Sequence, residues 1–149
     1  MKDYRNDAMM LRQIIMDHYQ YPRNHSLTDD ESYLCRHMAA DSCIDDIKVQ
    51  AKIKDGIIED VRFDGIACTI STASTSIMTQ LMKGKTLTEA QALIAEYNKM
   101  IALKEFDYEP LQEAIAFVNV GKQANRIGCA TIGWQAMSEM ILESEEDND

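Results

Sequence analysis

The chain has 149 residues, 46% hydrophobic and 27% charged, which is the size and composition of one ordinary domain able to bury a core without disulfides. That balance excludes wholesale disorder and fibrous repeats. Its 15 Lys and Arg against 25 Asp and Glu leave a net charge of −10, which argues against nucleic acid or anionic membrane as a non-specific partner and suits a basic protein partner.

The longest stretch without charge, Gly65 to Met82, contains seven Ser and Thr plus Gln80 and is too polar for a membrane span. The first residues, Met1-Lys2-Asp3-Tyr4-Arg5-Asn6-Asp7, carry acids where a secretory signal needs a basic region. The expected location is the cytoplasm. In that reducing setting the four cysteines, at 35, 43, 68 and 129, do not read as a disulfide framework. They are too widely spread for a zinc knuckle, so a shared role requires the fold to gather them.

In chain order, Met10, Leu11, Ile14, Ile15, His18 and Tyr19 recur at helical spacing up to Tyr21-Pro22-Arg23-Asn24 and predict an amphipathic helix. A polar loop follows from Asn24 to Glu31, and Ser32 to Ala39 is read as a short strand. Ile47, Val49, Ala51 and Ile53 alternate up to Asp55-Gly56, after which Ile57 to Phe63 forms a second run. Asp-Gly between such runs predicts an antiparallel hairpin, because a type I′ turn needs positive φ at both central residues.

Beyond Cys68 the pattern turns helical. The sequence predicts a helix over Thr69 to Met82 ended at Gly84, and a second from the capping box Thr86-Leu87-Thr88-Glu89 to about Ile101. A short helix from Pro110 to about Val118 comes next, and a last one from about Cys129 to Glu143 presents Ile132, Trp134, Met137, Met140 and Ile141 on one face. Strands in the first half and helices in the second predict an α+β fold, a small antiparallel sheet of about three strands with helices packed against it. Residues 1–142 are expected to form a single domain and residues 143–149 an acidic, solvated, frayed tail.

Cys43-Ile44-Asp45 lies just before the hairpin, where residues two apart on an extended segment project to the same side. Cys68 precedes one predicted helix and Cys129 opens another, and a helix N-terminus favours a thiolate. Three thiolates and one carboxylate match the four ligands of tetrahedral zinc, while iron–sulfur clusters accept the same donors. Cysteines are also common as small buried residues.

The segments Ile15-Met16-Asp17-His18-Tyr19-Gln20-Tyr21-Pro22-Arg23-Asn24, Cys43-x-Asp45, Cys68-Thr69-Ile70-Ser71-Thr72-Ala73-Ser74 and Arg126-Ile127-Gly128-Cys129-Ala130-Thr131 resemble the SufU/IscU (NifU N-terminal-like) family of iron–sulfur assembly proteins in order and spacing. The long Cys68–Cys129 interval, and Gly128 where the IscU branch has a histidine, bring the chain nearer the SufU branch. The resemblance implies one zinc held by Cys43, Asp45, Cys68 and Cys129. It also implies that sulfur is accepted from a SufS-like cysteine desulfurase and passed to a downstream iron–sulfur scaffold or recipient. Cys43 is then the persulfide acceptor, and Arg126 supports the site or the docked desulfurase. Zinc would hold Cys43 deprotonated but quenched until docking frees it. The alternative that the same ligands imply is a scaffold on which iron or a transient [2Fe–2S] cluster is assembled; a third is an interaction module with a disabled site.

The chain departs from the family pattern at Ile44 and Ala67, both usually glycine, at Ala40-Asp41-Ser42 in place of Asn-Pro-Thr, and at Gly128 in place of lysine. Cys35 has no counterpart and reads as a buried or half-buried small residue. His37 is an alternative ligand to Asp45, otherwise a surface or hydrogen-bonded histidine; His18 reads as a satisfied core or edge histidine and His25 as polar loop. The Ser/Thr run Ser71 to Thr79 has no Gly-x-Ser-x-Gly elbow and reads as close helix packing. Met10, Met16, Met78, Met82, Met100, Met137 and Met140 read as core filling, and Trp134 as the anchor of the last helix.

Overall fold

The computed structural model describes residues 7–39 and 44–147. In order these form α1 (Ala8–Gln20), β1 (Leu34–Ala39), β2 (Asp46–Lys54), β3 (Ile57–Ile66), α2 (Thr69–Met82), α3 (Leu87–Ile101), two 3-10 helices (Glu109–Phe117 and Val120–Lys122) and α4 (Ala124–Asp147). The strands make one antiparallel sheet in the order β1-β2-β3, so the architecture is the expected α+β one. Among the described residues no helix is long and apolar enough to cross a membrane.

The hairpin turns where Asp55 and Gly56 take φ of 54° and 75°, the positive pair that a type I′ turn demands. Alternation then sends Ile47, Val49 and Ala51 of β2 to the same side as Val61 and Phe63 of β3, each at most 1% exposed. Burial of each such side chain is worth roughly 1.5–3 kcal/mol for the larger ones, and α2 and α4 cover this face. On the opposite face the loop before β1 is tied down reciprocally: Thr28 N–H donates to Gln50 Oε1 and Gln50 Nε2 donates to the Thr28 carbonyl, both at 2.9 Å.

Most of the Ser/Thr run of α2 is buried, with Ser71, Ser74, Thr75, Ser76 and Thr79 at most 1% exposed and Thr72 half-buried. Small side chains let α4 come close. A Cβ on Gly133 would lie 2.4 Å from Thr75 Oγ1, so glycine is required at that crossing. Trp134 anchors α4 as expected, stacking on Tyr97 of α3 with centroids 3.8 Å apart and donating through Nε1 to Ser74 Oγ at 3.1 Å. His18 is a satisfied core histidine, with Nδ1 2.8 Å from Ser76 Oγ and Nε2 3.3 Å from Glu113 Oε1. The Thr86 capping box opens α3 as predicted.

Several expectations need correction. The segment after Pro110 is a 3-10 helix broken by Gln112 at φ 46°, since a positive φ cannot continue a helix. The last helix begins at Ala124, not near Cys129, and runs through Asp147, so the acids from Glu143 to Asp147 continue α4. Arg36 of β1 pairs with Glu143, and Gln91 of α3 donates to Glu145 at 2.8 Å; these tertiary partners hold turns that composition alone would leave loose. Met16 and Tyr19 face outward, 39% and 43% exposed, because the buried stripe of α1 is limited to Leu11, Ile14 and His18. Cys35 is exposed, since it alternates to the outer face of the edge strand β1.

Candidate metal centre

The site forms where β3 ends and α2 begins. Gly65 has φ of 138°, and a Cβ there would sit 2.2 Å from the Asp46 carbonyl oxygen. Only glycine lets the end of β3 lie this close to the residue after Asp45. Two residues on from Ile66, Cys68 is the N-cap of α2, its Sγ accepting the Ser71 backbone N–H at 3.4 Å. A sulfur here does what a hydroxyl or carboxylate oxygen does at other helix starts, satisfying an N–H that the helix leaves over.

Asp45 is 2% exposed and is held at both oxygens. Oδ1 accepts the Cys68 N–H at 2.9 Å, and Oδ2 accepts the Ser71 hydroxyl with Cys68 Sγ 4.0 Å away. Cys129 comes from α4 and is 6% exposed, with its carbonyl 3.1 Å from Ser71 Oγ. The expectation that it opens a helix is corrected: α4 starts five residues earlier, at Ala124, so Cys129 is in the second turn and away from the exposed N–H groups. Packing of α4 on α2, not the helix end, brings its thiol to the site.

One carboxylate oxygen and two sulfurs, from Asp45, Cys68 and Cys129, lie within 4.8 Å of one another. Cys43 lies outside the described residues. Of the proposed ligands the structure therefore brings together three. His37 does not join them: it is exposed on β1 and faces Asp46 Oδ1 at 2.5 Å. Cys35, also on β1, is outside the cluster. His25 is held in its loop by Asp64 Oδ1 at 3.1 Å and by Phe63, with ring centroids 4.9 Å apart. Arg126 is exposed, one turn before Cys129 on α4 and so on the same side of the helix.

The donor set fits a soft or borderline dication. Two thiolates beside a buried carboxylate would put three negative charges in one place, a state that repulsion and desolvation disfavour until a cation neutralises it. Tetrahedral zinc with sulfur at ~2.3 Å and oxygen at ~2.0–2.2 Å holds its ligand atoms about 3.5–3.8 Å apart, a modest contraction of the arrangement seen. Zinc would be held by the Asp45 oxygen and the Cys68 and Cys129 sulfurs. Reasoning from the sequence missed Ser71, which contacts all three residues of the cluster. Its signal was the Cys-x-x-Ser spacing of an N-cap and its N3 residue.

Two apolar side chains stand beside this cluster in water. Ile44, just before Asp45, is 66% exposed, and Ile66, opposite Asp46 in the sheet, is 68% exposed.

The model of the NifU-like N-terminal domain matches residues 10–143. The zinc-dependent sulfurtransferase SufU of Bacillus subtilis (strain 168) is 36% identical over 140 residues, covering 93% of this chain and 94% of that protein. The iron–sulfur cluster assembly scaffold protein IscU of Streptococcus pyogenes serotype M1 is 35% identical over 132 residues, 88% of this chain and 82% of that one. The crystal structure of the N-terminal part of a nitrogen-fixing NifU-like protein from Brucella abortus shares the fold at a TM-score of 0.81, with 18% identity over 90% of this chain and 93% of that chain. With the matched residues spanning α1 to α4, the chain belongs to the NifU-like N-terminal domain family.

Proposed function

We propose that this chain works in iron–sulfur cluster assembly as a zinc-dependent sulfur acceptor, taking persulfide sulfur from a cysteine desulfurase in the cytoplasm and passing it to a downstream scaffold or recipient. The observation that carries this reading is the convergence of Asp45, Cys68 and Cys129, and the 36% identity to a protein named as a zinc-dependent sulfurtransferase supports it. Cys43 is the fourth ligand and the acceptor. Chain geometry supports that role, because two residues span at most about 7 Å and Asp45 lies in the cluster.

When bound, zinc supplies the positive charge that keeps the grouped thiols deprotonated. The transfer itself belongs to Cys43. Its thiolate attacks the outer sulfur of the desulfurase persulfide; a new S–S bond forms at Cys43 as the donor's S–S bond breaks, and the electron pair leaves on the desulfurase thiolate. Ile44 and Ile66 supply an apolar rim that a docked partner would cover, and Arg126 supports the site or that partner from the adjacent turn of α4.

The test is native mass spectrometry of protein purified without oxygen, followed by incubation with a cysteine desulfurase and cysteine. One zinc per chain, and a gain of one sulfur that disappears in Cys43→Ala, is the expected outcome. A Cys43→Ala chain that accepts sulfur at the normal rate overturns the acceptor role. Iron with sulfide in place of zinc would move the assignment to a cluster scaffold, the role named for the Streptococcus pyogenes relative.

A further inference from the structure

Ser71 is completely buried, and its hydroxyl has one proton and several neighbours. Asp45 Oδ2 accepts it, the Cys129 carbonyl is 3.1 Å away, and Cys68 Sγ is 3.6 Å away. A hydroxyl has one proton to donate, and a charge-assisted bond to a carboxylate is about twice as strong as a neutral one. The hydroxyl therefore donates chiefly to Asp45 Oδ2. With Oδ1 taken by the Cys68 N–H, the carboxylate is clamped at both ends and cannot rotate about its last bond.

From this we infer that Ser71 is a positioning residue for the metal centre, setting the Asp45 carboxylate in the orientation that ligates zinc. The inference rests on the zinc reading above and adds to it a residue that touches no metal. Ser71 stands in the helical turn capped by Cys68, so one turn of α2 presents a ligand and the group that orients a second ligand from the link just before β2. Its backbone N–H also fixes the Cys68 sulfur. Outer partners of metal ligands act this way by removing the entropy of misoriented states before the metal arrives.

A rival role is a clip between α2 and α4 that has nothing to do with metal. Ser74 provides the comparison: it donates to the Ala130 carbonyl at 2.7 Å, the same kind of helix-to-helix bond, without contacting Asp45. Zinc affinity is measured by competition with a chromogenic chelator for the wild type, Ser71→Ala, Ser74→Ala, Asp45→Ala and the Asp45/Ser71 double variant. Thermal unfolding of each metal-free chain serves as the folding control.

The expected result is a loss of roughly 10- to 100-fold in zinc affinity for Ser71→Ala, wild-type affinity for Ser74→Ala, and no further loss when Ser71→Ala is added to Asp45→Ala. Cobalt-loaded Ser71→Ala should also show a shifted visible absorption band, which a remote packing change would not produce. Equal losses in the two serine variants, or wild-type affinity in folded Ser71→Ala, overturn the inference while leaving the zinc reading intact. If Ser71→Ala does not fold, Ser71→Gly removes the same hydroxyl, and unchanged affinity there overturns it equally. A wild-type chain that takes up no zinc overturns both.

Discussion

The backbone N–H of Cys68 donates to Oδ1 of Asp45 at 2.9 Å across a separation of 23 residues. The residue just before β2 and the N-cap of α2 are thereby joined, and the position of one depends on the other. That coupling makes the site sensitive to each of its parts.

Asp45→Ala should lose most of its zinc. The substitution removes one ligand and also the acceptor for the Cys68 N–H and the Ser71 hydroxyl, leaving two donors to find other partners at about 1–3 kcal/mol each when buried. Native mass spectrometry should show well below the wild-type occupancy at a zinc concentration that just fills the wild-type chain. Full occupancy would remove Asp45 from the ligand set.

The thiols should differ in reactivity by position. Cys35 is exposed and outside the cluster, whereas Cys129 is buried within it. Alkylation followed by peptide mapping should label Cys35 at the same rate with and without zinc, and label Cys68 only after chelation. Cys35→Ser should retain both zinc and sulfur acceptance; lost sulfur acceptance would make Cys35 part of the relay.

Stability should fall in acid through Asp60. Burial pushes its carboxyl up, but donors from Lys83, Tyr33 and Arg62 outweigh burial and hold it below the usual 3.8; the contacts are 2.8 Å, 2.5 Å and 2.8 Å. A carboxyl that binds its proton less tightly when folded adds stability that is complete above the unfolded value and is lost as pH falls through the folded one. Asp60→Asn should therefore cost about 1–3 kcal/mol at pH 7, and the urea-unfolding curves of the two proteins should draw together as pH falls below the unfolded value and through the lower folded one. A gap that stays constant with pH would mean the carboxylate charge contributes nothing.

At the crossing of α2 and α4, Gly133→Ala should destabilise by about 1–3 kcal/mol, the usual result of overpacking. Its new Cβ would meet Thr75 Oγ1 at 2.4 Å and Thr75 Cγ2 at 2.9 Å. Adding Thr75→Ala should recover most of the loss, whereas Thr75→Ser, which keeps the oxygen, should not. Thr75 Oγ1 is buried without a hydrogen-bond partner among the described residues, so removing it sacrifices no bond. Chemical denaturation of the four chains decides the point; equal stability of wild type and Gly133→Ala would mean that the helices separate without cost.

The sequence alone determined the local elements and the family. Alternation in β2, the Asp55-Gly56 turn, the Thr86 capping box and the ends of α2 all follow from interactions within a few residues, and the structure reproduces them. The cysteine motifs identified the ligand candidates because donor chemistry is a property of the side chain. Tertiary structure decided what depends on distant partners. Arg36 and Gln91 hold the acidic end of α4 helical, edge-strand geometry turns Cys35 outward, and the second turn of α4, packed on the Ser/Thr face of α2, carries Cys129 to Asp45 and Cys68. Ser71 looked like packing because a hydroxyl reveals its role only through the acceptor it meets, and that acceptor, Asp45, lies 26 residues away.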